Sequence, residues 1–311
     1  MGPILFTTYT RPLGKIISRQ SISYMLYADD TQLYVTFRPQ DAASVSEAVN
    51  AITSCVEDIK SWMSSHYLKL NEDKTDVIVL TTPTVAPVVN IKSIQLGVAE
   101  VDIADTVSDL GIILDSRLKL QEHINTITKR AFHQLYRIGR IRKYLTNDTA
   151  KSLVHALVLS KLDYCNVLLY GVPDYLLNKL QRVQNHAARL ITGTHKYDHI
   201  TPALYSLHWL PVEQRITYKL LLLTFKALNG LAPEYICDLL EPYKPCRSLR
   251  SSAQNLLKEP SFRLKTYGAR SFQCAAPRSW NHLPNSMRTV TNLQTFKKNL
   301  KTELFKNAYK C

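Results

Sequence analysis

The chain has no apolar run long enough to cross a bilayer. Its most apolar stretch, Leu220 to Ala232, is short and carries Lys226, whereas a spanning helix needs about 20 consecutive apolar residues. The first ten residues hold no basic leader with a sustained apolar run, so no signal peptide is expected, and Phe6 stands where a myristoylation start needs Ser or Thr. Cysteine is sparse. Cys55, Cys165, Cys237, Cys246, Cys274 and Cys311 show no pairing rhythm, which argues for reduced thiols and an intracellular protein of nucleus or cytoplasm. His195 and His199 have the spacing of metal ligands on a helix, but no Cys-x-x-Cys accompanies them, so zinc is not expected. Acids are in deficit too: 25 Asp and Glu against 39 Lys and Arg leave a formal charge of +14. That excess suits a polyanion, either nucleic acid or an anionic membrane surface, and charge does not choose between them. At 45% hydrophobic and 21% charged, the 311 residues suffice for two or three packed units.

No acid precedes Asp29, and the first two arrive as a pair. Upstream, Ile22, Tyr24 and Leu26 alternate with Ser23, Met25 and Tyr27; downstream, Leu33, Val35 and Phe37 alternate with Tyr34 and Thr36. Period-two patterning on both sides of a short polar break predicts a β-hairpin with Asp29 and Asp30 at its tip. Two carboxylates on a stiff tip suit Mg²⁺, a hard cation that takes oxygen ligands and keeps some of its water. The plainer reading is a solvated turn, since Asp hydrogen-bonds its own backbone there.

The segment Tyr27-Ala28-Asp29-Asp30-Thr31-Gln32-Leu33 resembles the metal-binding motif of reverse transcriptases from non-LTR (LINE-type) retrotransposons. Gly2-Pro3-Ile4-Leu5-Phe6 resembles the tail of the preceding motif. Trp62 with Leu68-Lys69-Leu70-Asn71-Glu72-Asp73-Lys74-Thr75 resembles the next, and Leu110-Gly111-Ile112-Ile113-Leu114-Asp115 with His123-Ile124 the one after. Leu162-Asp163-Tyr164-Cys165-Asn166, Leu180-Gln181-Arg182-Val183-Gln184-Asn185 and Ala275-Ala276-Pro277-Arg278-Ser279-Trp280-Asn281 continue the likeness along the chain.

The resemblance implies an α+β fold: a partial reverse-transcriptase palm, with a β-hairpin and small antiparallel sheet packed on a helix, then a mainly helical thumb and C-terminal region. The expected division is residues 1–115 for the palm, 116–196 for the thumb and 197–311 for a mainly helical region of no assigned role. It implies an RNA-directed DNA polymerase acting on an RNA template and a DNA primer, with no membrane partner. Asp29 is then the stronger Mg²⁺ ligand and Asp30 the supporting one. Tyr27 and Ala28 lie against the primer end, Lys74 protonates departing pyrophosphate, and Leu110 and Gly111 belong to a primer-gripping hairpin. In such enzymes two Mg²⁺ ions activate the 3′ hydroxyl and stabilise the leaving group. They need three carboxylates, the first well upstream of the pair, and residues 1–28 contain none. The expectation is therefore the back half of a polymerase, without its fingers, first carboxylate motif and any endonuclease portion, and inactive as an isolated chain. A silent nucleic-acid-binding remnant and a basic interaction protein are the alternatives.

Along the chain, Asp41 opens a helix with Val45, Val49, Ile52, Val56 and Ile59 on one side, and Ser44-Val45-Ser46-Glu47 reads as a capping box. Strands are expected at 67–70, 77–80, 91–96, 98–103 and 110–114, with a loop at 81–90. From Gln121 the period is helical. Ile124, Ile127, Ala131, Leu135 and Ile138 form an apolar stripe, with Lys129, Arg130, Tyr136, Arg137, Arg140 and Lys143 opposite. A helix is read over roughly 148–170. In the next one, Leu176, Leu180, Val183, Ala187 and Leu190 make the core stripe, Lys179, Arg182, His186 and Arg189 line another face, and Gly193 caps the end. Basic faces with an aromatic suit phosphates and sugars; a plain solvated surface is the competing reading. Helices are expected from Leu210 to Gly230, over 233–240, and over 293–309, with residues 242–290 irregular.

Overall fold

A computed structural model describes residues 2–20, 22–89, 91–97, 99–244 and 254–309. Cys246 and Cys311 lie outside them. The described residues are mainly helical with six short strands, an α+β composition. The chain divides into two compact units, Met1–Leu118 and Lys119–Cys311, so residues 119–196 of the region read as 116–196 fall in the second unit together with the region read as 197–311.

The first unit opens with α1 (Gly2–Ser18), a helix that accommodates Pro12 and was not foreseen. Its Leu13 and Ile17 are buried against Cys55 and Ile59. Strands β1 (Ser23–Tyr27) and β2 (Asp30–Tyr34) pair antiparallel, with Tyr27 opposite Asp30, so Ala28 and Asp29 form the two-residue turn. Alternation puts Tyr24, Leu26 and Leu33 into the core with α2 (Ala42–Ser65), and Met25, Asp30 and Gln32 on the other face.

Asp41 caps α2, its Oδ1 accepting from Ala43 N at 3.0 Å and Ser44 N at 3.3 Å. The capping box expected at Ser44 is thus a correction. Ser44 already lies in the first turn, and its hydroxyl accepts from Arg38 N at 3.0 Å.

Two further hairpins follow, β3 (Ser93–Leu96) with β4 (Ala99–Asp102) and β5 (Thr106–Asp109) with β6 (Ile112–Asp115). The strands expected at 67–70 and 77–80 do not form. Residues Glu72–Lys74 make a 3₁₀ turn, and Val77 contributes an isolated bridge to Ile103, because no neighbouring strand runs alongside to complete a ladder. Part of the loop read over 81–90 is a 3₁₀ turn, Ala86–Val88. Leu110 and Gly111, read as the start of a strand, are instead the β5–β6 turn. Both have positive φ, 45° and 81°, as a two-residue type I′ hairpin turn requires.

The second unit begins with α3 (Gln121–Ile141), whose buried stripe is Ile124, Ala131, Leu135 and Ile138. The helix expected over 148–170 is broken into α4 (Asn147–Val154), a π-helical turn His155–Leu159, α5 (Ser160–Asp163) and a 3₁₀ turn Asn166–Leu169. Next, α6 (Asp174–Thr192) ends at Gly193, whose φ of 72° and N–H bond to Arg189 O make the left-handed cap expected of it. Then come α7 (Thr201–Ser206), α8 (Val212–Leu228) and the short α9 (Glu234–Cys237).

Residues 242–290 are not wholly irregular: they contain α10 (Phe272–Asn281) and α11 (Asn285–Arg288). Helix α12 (Leu293–Tyr309) buries Phe296, Leu300 and Leu304. Phe296 stacks on Phe225 of α8 at 4.3 Å between centroids and lies 5.8 Å from Trp280 of α10. This aromatic trio centres the C-terminal core. The region 197–311 therefore supplies structure to the second unit.

Candidate nucleic-acid interface and carboxylate pair

In the first unit, the hairpin turn places Asp29 at the tip and Asp30 at the first position of β2; Tyr27, Ala28, Asp29 and Asp30 are all exposed. Ala28 has φ 54°, a left-handed conformation that costs an L-residue on the order of 1 kcal/mol. Two residues along β2, on the face of Asp30, Gln32 Nε2 donates to Asp109 Oδ1. This bond ties the hairpin bearing the acidic pair to the hairpin whose turn is Leu110-Gly111. Sequence reading missed the link; alternation from Asp30 to Gln32 is the signal that identifies the shared face.

Lys74 is exposed in the 3₁₀ turn after α2. Among the described residues no hydrogen bond or ion pair joins it to Asp29 or Asp30. Neighbouring Glu72 is paired with Lys60, and that bond anchors the turn to α2. The oxygen donors of Asp29 and Asp30 have the chemistry Mg²⁺ prefers. Their number is below the three the resemblance implies, and among the described residues no group of three or more His, Cys, Asp or Glu could hold a metal ion.

In the second unit, α3 and α6 lie side by side and parallel. Tyr175 Oη donates to Gln121 at 3.0 Å and Lys179 Nζ to Asn125 Oδ1 at 2.7 Å, each across 54 residues. Phe132 meets His186 edge-on at 5.8 Å with the same offset. A constant offset means that both helices advance together. At the C-terminal end, the Arg142 guanidinium donates to Leu190 O at 2.9 Å and Ile191 O at 3.0 Å, satisfying carbonyls in the last turn of α6. Sequence reading missed Arg142, and its tie spans too many residues for a local pattern to show.

With Ile124, Ala131, Leu135 and Ile138 inward, Lys129, Arg130, His133, Tyr136, Arg137 and Arg140 are exposed on α3. Arg182 is exposed on α6, and the α3–α6 offset of 54 residues sets it level with Thr128, next to Lys129. Among the described residues no acid pairs with Lys129, Arg130, Arg137, Arg140 or Arg182. From Lys129 to Arg140 the helix rises about 16 Å at ~1.5 Å per residue. A shallow depression beside Thr126, Lys129, Arg130 and His133 runs along this face.

The remaining candidates divide differently. Lys143 lies beyond α3 in the 3₁₀ turn Arg142–Tyr144, its ammonium 4.9 Å from the Tyr144 ring centroid. Lys179 reaches α3 through Asn125. Arg189 is committed to structure, donating to His195 O at 3.1 Å and Asp198 O at 2.7 Å, which holds the loop after α6. Aromatic side chains that sequence reading did not assign, Phe132, Tyr144 and Tyr175, are exposed on or beside the two helices. At the base of α3, His123 is buried, and desolvation followed by the Arg130 charge pushes its pKa below the usual imidazole value. It is a neutral core histidine and takes no part in the charged face.

The other motif-like segments act as internal staples. Asp163 receives both arms of the Arg215 guanidinium. Gln184 is buried and donates to Leu210 O at 2.8 Å, while Gln181 accepts from Val212 N at 2.9 Å, so α6 holds the start of α8. Asn281 exchanges two hydrogen bonds with the Leu257 backbone, each 2.9 Å, and Trp280 donates to Asn255 O.

Among the described residues no helix is long and apolar enough to cross a membrane. Comparison of the chain with protein-family models, curated proteins and solved structures found no match.

Proposed function

We propose that this chain is the palm-and-thumb portion of an RNA-directed DNA polymerase of the non-LTR retrotransposon type, and that by itself it grips an RNA/DNA duplex without joining nucleotides. The observation that carries the reading is the unpaired cationic row Lys129, Arg130, Arg137 and Arg140 with Tyr136 among them, flanked by Arg182 on the parallel helix. Phosphates displace counterions from such a row, and an exposed ring offers a face for sugar or base. Asp29 and Asp30 would hold Mg²⁺ in the complete polymerase, the metal supplying activation of the primer hydroxyl and charge neutralisation of the leaving group. Within this chain, Asp29 and Asp30 orient ligand oxygens from a fixed turn, the Gln32–Asp109 bond steadies the Leu110-Gly111 hairpin beside them, and Lys74 holds a proton for the leaving group. Nucleotidyl transfer then requires a third carboxylate in addition to this pair.

The test is fluorescence anisotropy of a labelled RNA/DNA hybrid titrated with the chain at several salt concentrations. Affinity should fall steeply with salt. Replacing Lys129, Arg137 and Arg140 together by Ala should flatten the log–log slope by about 3, at roughly 0.9 per phosphate contact. An unchanged slope rules this face out. Stronger retention on anionic vesicles than on the hybrid would assign the positive charge to a membrane surface instead.

A further inference from the structure

In the first unit, α1 gives Leu13 and Ile17 to the core, and Tyr9 Oη donates to His66 O at 2.6 Å, so the helix is fixed along one side. Its outer side is open. Ile4 is 73% exposed, Leu5 64% and Tyr9 45%, with Pro12 exposed and Ile16 half-buried. At 100° per residue, Leu5, Tyr9, Pro12 and Ile16 fall on one strip. Arg11 and Lys15 lie on the adjoining strip of the same outer side, and Arg19 continues it in the turn that closes the helix. All three cations are exposed, and among the described residues none pairs with an acid. Asp58 of α2, which reaches the end of α1, accepts instead from Gln20 Nε2 at 2.8 Å. Residues 1–19 contain no Asp or Glu, whereas residues 20–118 hold 14 of them against 6 Lys and Arg. Helix α1 is therefore the cationic element of an acidic unit.

Cations alone suit any polyanion, and the apolar strip beside them makes the choice. A nucleic-acid backbone meets Arg11, Lys15 and Arg19 but leaves Ile4 and Leu5 in water, while an apolar protein face leaves the cations unmatched. An anionic bilayer surface matches both. Aliphatic side chains enter the boundary between headgroups and acyl chains, and flanking cations meet the lipid phosphates and carboxylates. We infer that the outer side of α1 is a peripheral contact for an anionic bilayer surface, on which the helix lies without crossing. The same surface repels the acidic remainder of the unit, which turns α1 toward it. With Leu13 and Ile17 already packed, the helix is formed before it binds, and its core side chains stay in place. This adds a partner that the resemblance does not imply, and it does not rest on the duplex-gripping face.

The test sediments the full chain with phosphatidylcholine vesicles that do or do not contain phosphatidylserine. A diazirine-bearing acyl chain in the lipid maps the contact by mass spectrometry. Binding should require phosphatidylserine and weaken with salt, with cross-links at Ile4, Leu5 and Tyr9. Replacing Arg11, Lys15 and Arg19 together by Ala should lower the partition coefficient by about 100-fold, at roughly fivefold per cation near an anionic surface. Ile4→Ser with Leu5→Ser should lower it by about tenfold or more, and the melting temperature should hold because both side chains are exposed. The triple alanine replacement on α3 should leave the α1 cross-links in place while flattening the salt slope of hybrid binding, so the two readings can fail separately. Cross-links confined to the second unit, a partition coefficient insensitive to the two serines, or no binding to phosphatidylserine vesicles overturns the inference. An α1 alanine variant that loses affinity for the RNA/DNA hybrid but not for vesicles also overturns it and assigns these cations to nucleic acid.

Discussion

Replacing Phe296 by Ala tests whether the C-terminal helices form the core of the second unit or decorate it. The Phe296 ring is fully buried, stacked on Phe225 at 4.3 Å and 19° and tilted against Trp280 at 5.8 Å. Its neighbours come from α8 and α10, so their backbones must shift if the gap is to close. Truncating such a ring costs about 3–5 kcal/mol, the lost transfer energy plus the cavity left behind. At roughly 2–4 °C per kcal/mol for a unit of this size, the melting temperature should fall by about 6–20 °C. Urea unfolding followed by circular dichroism gives the free energy. Hydrogen exchange should show faster opening of α8, α10 and α12. Phe296→Leu, which keeps more of the volume, should lose less. A loss under about 1 kcal/mol would mean that the site is not closely packed, and the trio of Phe225, Trp280 and Phe296 would be wrongly placed.

Three other perturbations have defined outcomes. Ala28→Gly relieves the left-handed strain at φ 54° and should stabilise the chain by about 0.5–1 kcal/mol in urea titration; destabilisation would show that Ala28 is not left-handed. Arg215→Ala leaves Asp163 without its two-pronged partner and should cost about 1–3 kcal/mol, with Arg215→Lys recovering only part because an ammonium cannot make both bonds. Burial pushes the Tyr309 phenol up to about 12, while its hydroxyl donates to Trp209 O at 2.6 Å. Its folded-state pKa lies above the unfolded value of about 10, so its contribution is complete below pH 10 and is lost as pH rises toward 12. Tyr309→Phe should flatten that alkaline fall in stability, and an unchanged pH profile would refute the assignment.

The sequence made legible whatever depends on local periodicity. The β1–β2 hairpin, the stripes of α3 and α6, the Gly193 cap and the span of α12 all follow from spacing and from residues whose backbone preference is strong. Other features depended on partners distant in sequence. The alternation at 67–70 and 77–80 is real, but a strand needs a neighbour. Helix α1 contains Pro12 and α10 contains Pro277, and a proline within an apolar pattern reads as a boundary. Helix α10 sits in a region where Trp280 and Asn281 clasp residues 255 and 257, and Arg288 donates to Gln254 O at 2.8 Å and Asn281 O at 3.0 Å. None of these ties has a local signature. At the candidate sites the charged face was readable because it repeats at helical spacing. The commitment of Arg189 to its own loop, and the bond from Gln32 to Asp109, became visible only in three dimensions.

The central claim is that α3 and α6 together face an RNA/DNA duplex. The most direct measurement is photocross-linking of the full chain to a hybrid carrying 5-iodouracil, with the attachment sites mapped by mass spectrometry. Cross-links at Tyr136 and Phe132, joined by Tyr175 on the neighbouring helix and suppressed by high salt, are the predicted result. Cross-links confined to residues outside α3 and α6, or none under conditions where the hybrid is bound, would contradict it.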